Sequence, residues 1–140
     1  MWIVYNLAMF DMESSSDKHI KAFNIGFFSS HKNAEKTAKR YLAEVSGFKE
    51  YNVTYQITEK CVIDCNDSLR TSELFIIYGW NEYDELIDND VIQSDCYTNR
   101  QEAEHKLNEL KSRFSRDEWC IDRYRIDEYN WQEGFVKVFH

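Results

Sequence analysis

Proline is absent from this 140-residue sequence, where average usage would place roughly seven. Polyproline recognition segments and stiff proline spacers are thereby excluded. Glycine is scarce too: Gly26, Gly47, Gly79 and Gly134 are the only four, too scattered to build a phosphate-cradling loop. Neither G-x-S-x-G nor H-E-x-x-H occurs, and His19, His31, His105 and His140 stand apart. No catalytic constellation follows from such spacings, so the expectation is a non-enzymatic protein without cofactor or bound metal. No apolar run is long enough to span a bilayer. The opening "MWIVYNLAMF" has no basic residue before it and no small-residue cleavage site, so it reads as a first strand rather than a signal peptide.

Cysteine is present but unorganised. Cys61, Cys65, Cys96 and Cys120 include one C-x3-C spacing, yet no C-x2-C pair or nearby histidine pair completes four zinc ligands. Free thiols in a reducing cytoplasm are the expectation. What the chain does have is core material: hydrophobic residues make up 43% and aromatics 16%. Disorder is a poor reading of such a composition, and the length suits one compact domain or two small units sharing a core.

Two stretches separated by 69 positions, "YQITE" at 55–59 and "YRIDE" at 124–128, suggest a duplication. Sliding the chain by that offset aligns 28–59 with 97–128 without a gap. Ala34, Ala38, Tyr41 and Val45 lie on one helical face, and Ala103, Leu107, Leu110 and Phe114 fall at the same four positions. Ser30 and Asn99 are aligned N-cap residues. After the first helix, Val53, Tyr55, Ile57, Cys61 and Ile63 form the apolar side of a strand, and Tyr124 with Ile126 repeat it. Ile3, Tyr5 and Leu7 correspond to Ile76, Tyr78 and Trp80, and second strands fall near 21–28 and 91–97. The expected fold is α+β: two pseudo-symmetric ββαβ units, 1–69 and 70–140, with antiparallel sheet and one helix per unit, probably being avoided as separate domains because one such unit buries too little alone.

The pieces "IGFFSS", "GFKEY", "YQI" and "WQEGF" resemble a small uncharacterised bacterial domain with the pattern I-G-x-[FY]-S, G-F, Y-x-I and W-x-E-G-F. The first half carries Ile25–Ser30 and Gly47–Phe48; the second carries Tyr124, Ile126 and Trp131–Phe135. The resemblance implies a strand-strand-helix-strand fold with no catalytic residues. It further implies kinship with conflict-system proteins, some of them immunity proteins.

Charge breaks the symmetry. Residues 1–69 hold 8 Lys/Arg and 9 Asp/Glu, a net of −1; residues 70–140 hold 9 and 16, a net of −7. Positions 71–99 contain no lysine or arginine, and their centre is "WNEYDELIDND" at 80–90. Carboxylates interleaved with apolar side chains allow three readings: a solvated loop packed back on the sheet, a surface for a basic partner, or a weak cation site. The second names Trp80, Glu82, Tyr83, Asp84, Glu85, Asp88 and Asp90 as partner-binding residues within an acidic surface spanning 80–95. The partner would be a basic protein, such as a toxin or nucleic-acid-handling protein; direct contact with nucleic acid or membrane is not expected at a net charge of −8. Arg113, Arg116, Arg123 and Arg125 are offset by Asp117, Glu118 and Asp122 and read as surface ion pairs. An alternative function is a small-ligand or regulatory site in a cleft between the repeats, lined by Tyr55, Glu59, Tyr124 and Glu128.

Overall fold

A computed structural model describes residues 2–12, 21–63, 73–81 and 91–136. The elements are β1 (Trp2–Asp11), β2 (Lys21–Phe28), α1 (His31–Glu44), β3 (Val53–Ile63), β4 (Glu73–Trp80), β5 (Ile92–Gln93), β6 (Cys96–Tyr97), α2 (Arg100–Arg113) and β7 (Glu118–Arg125). The fold is α+β. Seven strands form a mostly antiparallel sheet in the order β2-β1-β3-β6-β4-β5, with β7 pairing β4; the β3–β6 pair is parallel. Contacts gather the chain into two compact units that are not contiguous in sequence. The α1 unit is Val4–Glu59 with the described part of Ile126–His140, and the α2 unit is the described part of Met1–Ile3 with that of Lys60–Arg125.

In the α1 unit, Ser30 caps the helix by accepting a bond from the Asn33 N–H at 3.1 Å. Ala34, Ala38 and Tyr41 are buried as the four-three spacing requires, against Leu7, Met9, Phe23, Ile25 and Phe28 of β1 and β2. The C-terminal segment completes this core. Phe135 stacks on Phe23 at 4.5 Å between ring centroids and meets Phe48 edge-on at 5.0 Å. The Tyr41 hydroxyl donates to the Asn130 carbonyl at 2.7 Å, and the Asp127 carboxylate accepts from the Ser29 N–H and hydroxyl.

Two glycines allow this docking. Gly134 has φ +80, and a Cβ there would stand 2.0 Å from the Ser46 carbonyl oxygen. Gly47 has φ +85, and a Cβ there would press into the Phe135 ring at 2.6 Å. "IGFFSS", "GF", "YQI" and "WQEGF" therefore all contribute to this one unit, although the last lies far along the chain from the others.

In the α2 unit, Asn99 caps the helix, its Oδ1 accepting from the N–H groups of Gln101 at 2.7 Å and Glu102 at 3.4 Å. Ala103 and Leu110 are buried with Phe75, Ile77 and Tyr97, and Leu107 packs partly against them. Phe114 follows the helix and is 39% exposed.

The stretch expected to be one strand over 91–97 is two short pieces, β5 and β6, for a local reason. Ser94 N–H donates to the Ile77 carbonyl while Ser94 Oγ accepts from the Ile77 N–H, so a side chain replaces a backbone partner. Tyr78 opposes Gln93 but Phe75 opposes Tyr97, one extra residue on the β5–β6 side, which is a bulge.

Candidate functional site at the end of β4

Trp80 is the last residue of β4 and is half-buried. The β4–β7 register sets it opposite Glu118 and sets Gly79 opposite Trp119. The Trp119 ring lies over Gly79 so closely that a Cβ would come within 2.6 Å of it. Asn81 continues the anchorage, its Oδ1 accepting the Asp117 N–H at 3.0 Å. On the other side of β4, Ile92 pairs with Gly79 and Gln93 with Tyr78. The described residues on both sides of 82–90 are therefore fixed to β4. Val91 is 50% exposed.

Of the residues expected to bind a partner, Trp80 is placed in this way. Glu82, Tyr83, Asp84, Glu85, Asp88 and Asp90 lie outside the described residues. Sequence reasoning missed Asp117 and Glu118, both exposed beside Trp80 and Asn81. It had counted them as offsets to neighbouring arginines. Only the strand register, not the spacing along the chain, brings them to this end of β4.

The four residues of the alternative cleft fall as follows. Tyr55 is half-buried on β3 against the α1-unit core, and Glu59 is exposed near the end of the same unit. Glu128 is exposed in the segment that packs with that unit. Tyr124 belongs to the α2 unit. Its hydroxyl lies 3.1 Å from that of Tyr78 and 3.5 Å from Asp122 Oδ2.

With Cys120, whose thiol donates to Asp122 Oδ1 at 3.8 Å, these side chains form a polar chain on the face of β4 and β7 opposite α2. Burial, reinforced by the Tyr124 hydrogen bond, pushes the Tyr78 hydroxyl far above its ordinary value. Burial and the Asp122 charge push the Cys120 thiol up as well, and burial takes Cys96 up to about 12. These groups stay protonated near neutral pH, which suits them to donate hydrogen bonds and makes the two thiols weak nucleophiles.

The arginines are partly tied into ion pairs, Arg113 with Glu109 at 3.6 Å and Arg125 with Glu73 at 4.0 Å. Two shallow grooves flank α2. One, of about 520 Å³, has Ile63, Tyr97, His105 and Lys106 in its lining; the other, of about 490 Å³, has Arg113, Phe114, Arg116 and Trp119. Among the described residues no group of three or more His, Cys, Asp or Glu side chains could hold a metal ion. Nor, among them, is any helix long and apolar enough to cross a membrane. No protein-family model, curated protein or solved structure matches the chain.

Proposed function

We propose that this is a non-enzymatic, inhibitor- or immunity-type binding protein of the bacterial cytoplasm. Its acidic, aromatic-containing surface would occlude a basic protein partner, one that otherwise handles nucleic acid. Carboxylates would take the positions that phosphates occupy on that partner, while Trp80 supplies a desolvated anchor. One observation carries the reading: Glu118 stands opposite Trp80 and Asp117 is bonded to Asn81. Two further exposed carboxylates thus join the root of a stretch that, from 71 to 99, already lacks any lysine or arginine. We read the scaffold beneath as two diverged ββαβ copies, of which the second took on the acidic charge.

The test is capture from native lysate with tagged protein and mass spectrometry. One comparison bait carries Asp84, Asp88 and Asp90 changed to Asn with Glu82 and Glu85 changed to Gln. A second carries Asp117→Asn and Glu118→Gln. A basic protein held by the wild type, lost by the first variant and weakened by the second, is the expected result. Identical captures by all three baits, or none by any, would refute the proposal.

A further inference from the structure

The edges of the sheet are not treated alike. In the α1 unit the outer edge of β2 is closed by the C-terminal segment. Asp127 N–H donates to the Phe27 carbonyl at 2.8 Å, Asn130 N–H to the Ile25 carbonyl at 2.7 Å, and Tyr129 bridges Gly26. In the α2 unit, β5 is only two residues long, too short to template another strand. By contrast β7 is eight residues long, keeps unbroken antiparallel register with β4 from Glu118 to Arg125, and pairs with no other strand among the described residues. It contains no proline, glycine or lysine and no bulge, which are the devices that discourage edge-to-edge association.

We infer that β7 pairs antiparallel with β7 of a second copy of this chain, about a two-fold axis through Ile121. The choice of axis follows from charge. A two-fold perpendicular to the sheet sets residues of the same face opposite one another, so it must pass through a residue. At Cys120 it would oppose Glu118 to Asp122. At Asp122 or Arg123 it would oppose that residue to itself, and at Tyr124 it would oppose Arg123 to Arg125. Each places like charges face to face, which is destabilising.

At Ile121 no like charges meet. Ile121 faces its copy, Trp119 faces Arg123, Asp117 faces Arg125, Glu118 faces Tyr124 and Cys120 faces Asp122. Every pair apart from the central one occurs twice by symmetry. The Trp119–Arg123 pair allows a cation–π contact, and the Asp117–Arg125 pair is an ion pair. Arg125 also lies 4.0 Å from Glu73 of its own chain, but a guanidinium has five donors and can serve both carboxylates. Phe114, 39% exposed, lines the same groove as Trp119 and adds apolar surface beside the edge. This inference uses none of the residues from 82 to 90 and stands or falls apart from the acidic-surface proposal.

The experiment is sedimentation equilibrium of the full chain in reductant, over micromolar to submillimolar concentration. The expected mass is twice the 16.9 kDa of one chain. Arg123→Glu places a carboxylate against the Trp119 ring in both contacts at once and should weaken association roughly tenfold or more. Asp117→Arg opposes arginines at both ends and should do the same; adding Arg125→Asp should restore pairing.

Circular dichroism confirms that each variant is folded, and hydrogen exchange reports the edge directly. Outward-facing amides within 119–123 should be protected in the dimer and exposed on dilution. A wild-type chain that stays at the single-chain mass overturns the inference. So does a dimer whose 119–123 amides exchange as fast as in the monomer, or one that none of these charge changes weakens.

Discussion

At the scale of single residues, the most constrained positions are those that hold the C-terminal segment in the α1 unit. Gly134→Ala would force a Cβ to within 2.0 Å of a backbone carbonyl oxygen at φ +80. Backbone strain alone costs about 1–3 kcal/mol, and the steric conflict adds to it. Urea unfolding should therefore show a loss above about 2 kcal/mol, and a wild-type midpoint would contradict the contact. Asp127 also has positive φ, +65, a region that aspartate and asparagine tolerate better than most residues. Its carboxylate receives two bonds from Ser29 at 2.9 and 2.8 Å. Asp127→Ala should cost about 1–2 kcal/mol, and Asp127→Asn less, because its amide oxygen keeps one acceptor and its backbone preference survives.

Cys96 makes a pH prediction. Its folded value of about 12 lies above the ordinary 9.0 because burial opposes the thiolate. The folded state therefore binds the proton more tightly than the unfolded chain does. Its contribution is fully present below about 9 and is lost as pH rises toward about 12. Thermal midpoints should fall over that alkaline range, and they should fall less in Cys96→Ala once its lower starting stability is allowed for.

At the scale of elements, what was legible in the sequence was what is written locally. Ser30 and Asn99 cap the helices as their positions ahead of the apolar stripes foretold. Ala34, Ala38, Tyr41, Ala103 and Leu110 are buried as the three-four spacing required. Phe114, aligned with Val45, sits beyond the end of α2 and stays 39% exposed, because a residue after the last helical turn is not bound to the helix face. The split of 91–97 into β5 and β6 depends on the Ser94 hydroxyl finding the Ile77 N–H, a tertiary event that alternation cannot reveal. The docking of Trp131–Phe135 beside Gly47–Phe48 is equally non-local. Its letters were visible, but not the side of the fold to which they belong.

The C-terminal segment is thus a structural element without regular secondary structure, and its weight can be measured. Phe135, 9% exposed and in contact with the rings of Phe23, Phe48 and Tyr51, should cost about 3–5 kcal/mol when changed to alanine. A loss below 1 kcal/mol would mean that the segment is not part of the core in solution.

At the scale of the whole molecule, charge and backbone edge are two different instruments of association, and salt separates them. The net charge is −8, with −7 of it contributed by residues 70–140. This excess was legible from composition, whereas the arrival of Asp117 and Glu118 beside Trp80 required the β4–β7 register. A partner drawn to an exposed acidic surface is steered by long-range attraction, which salt screens; the Debye length falls from roughly 10 Å at 0.1 M to roughly 3 Å at 1 M. Association of two β7 edges rests mainly on backbone hydrogen bonds and short-range side-chain pairs, whose strength varies far less with ionic strength. Two copies that both carry −8 even repel at a distance, so salt should leave their association unchanged or slightly strengthen it. Raising NaCl from about 50 mM to about 500 mM should therefore slow capture of the basic partner by an order of magnitude or more while the dimer persists. Capture kinetics and sedimentation on the same preparation check both at once. A partner that binds equally fast at both salt concentrations cannot be recognised through the acidic surface. A dimer that dissolves at the higher one cannot be held chiefly by its strand edges.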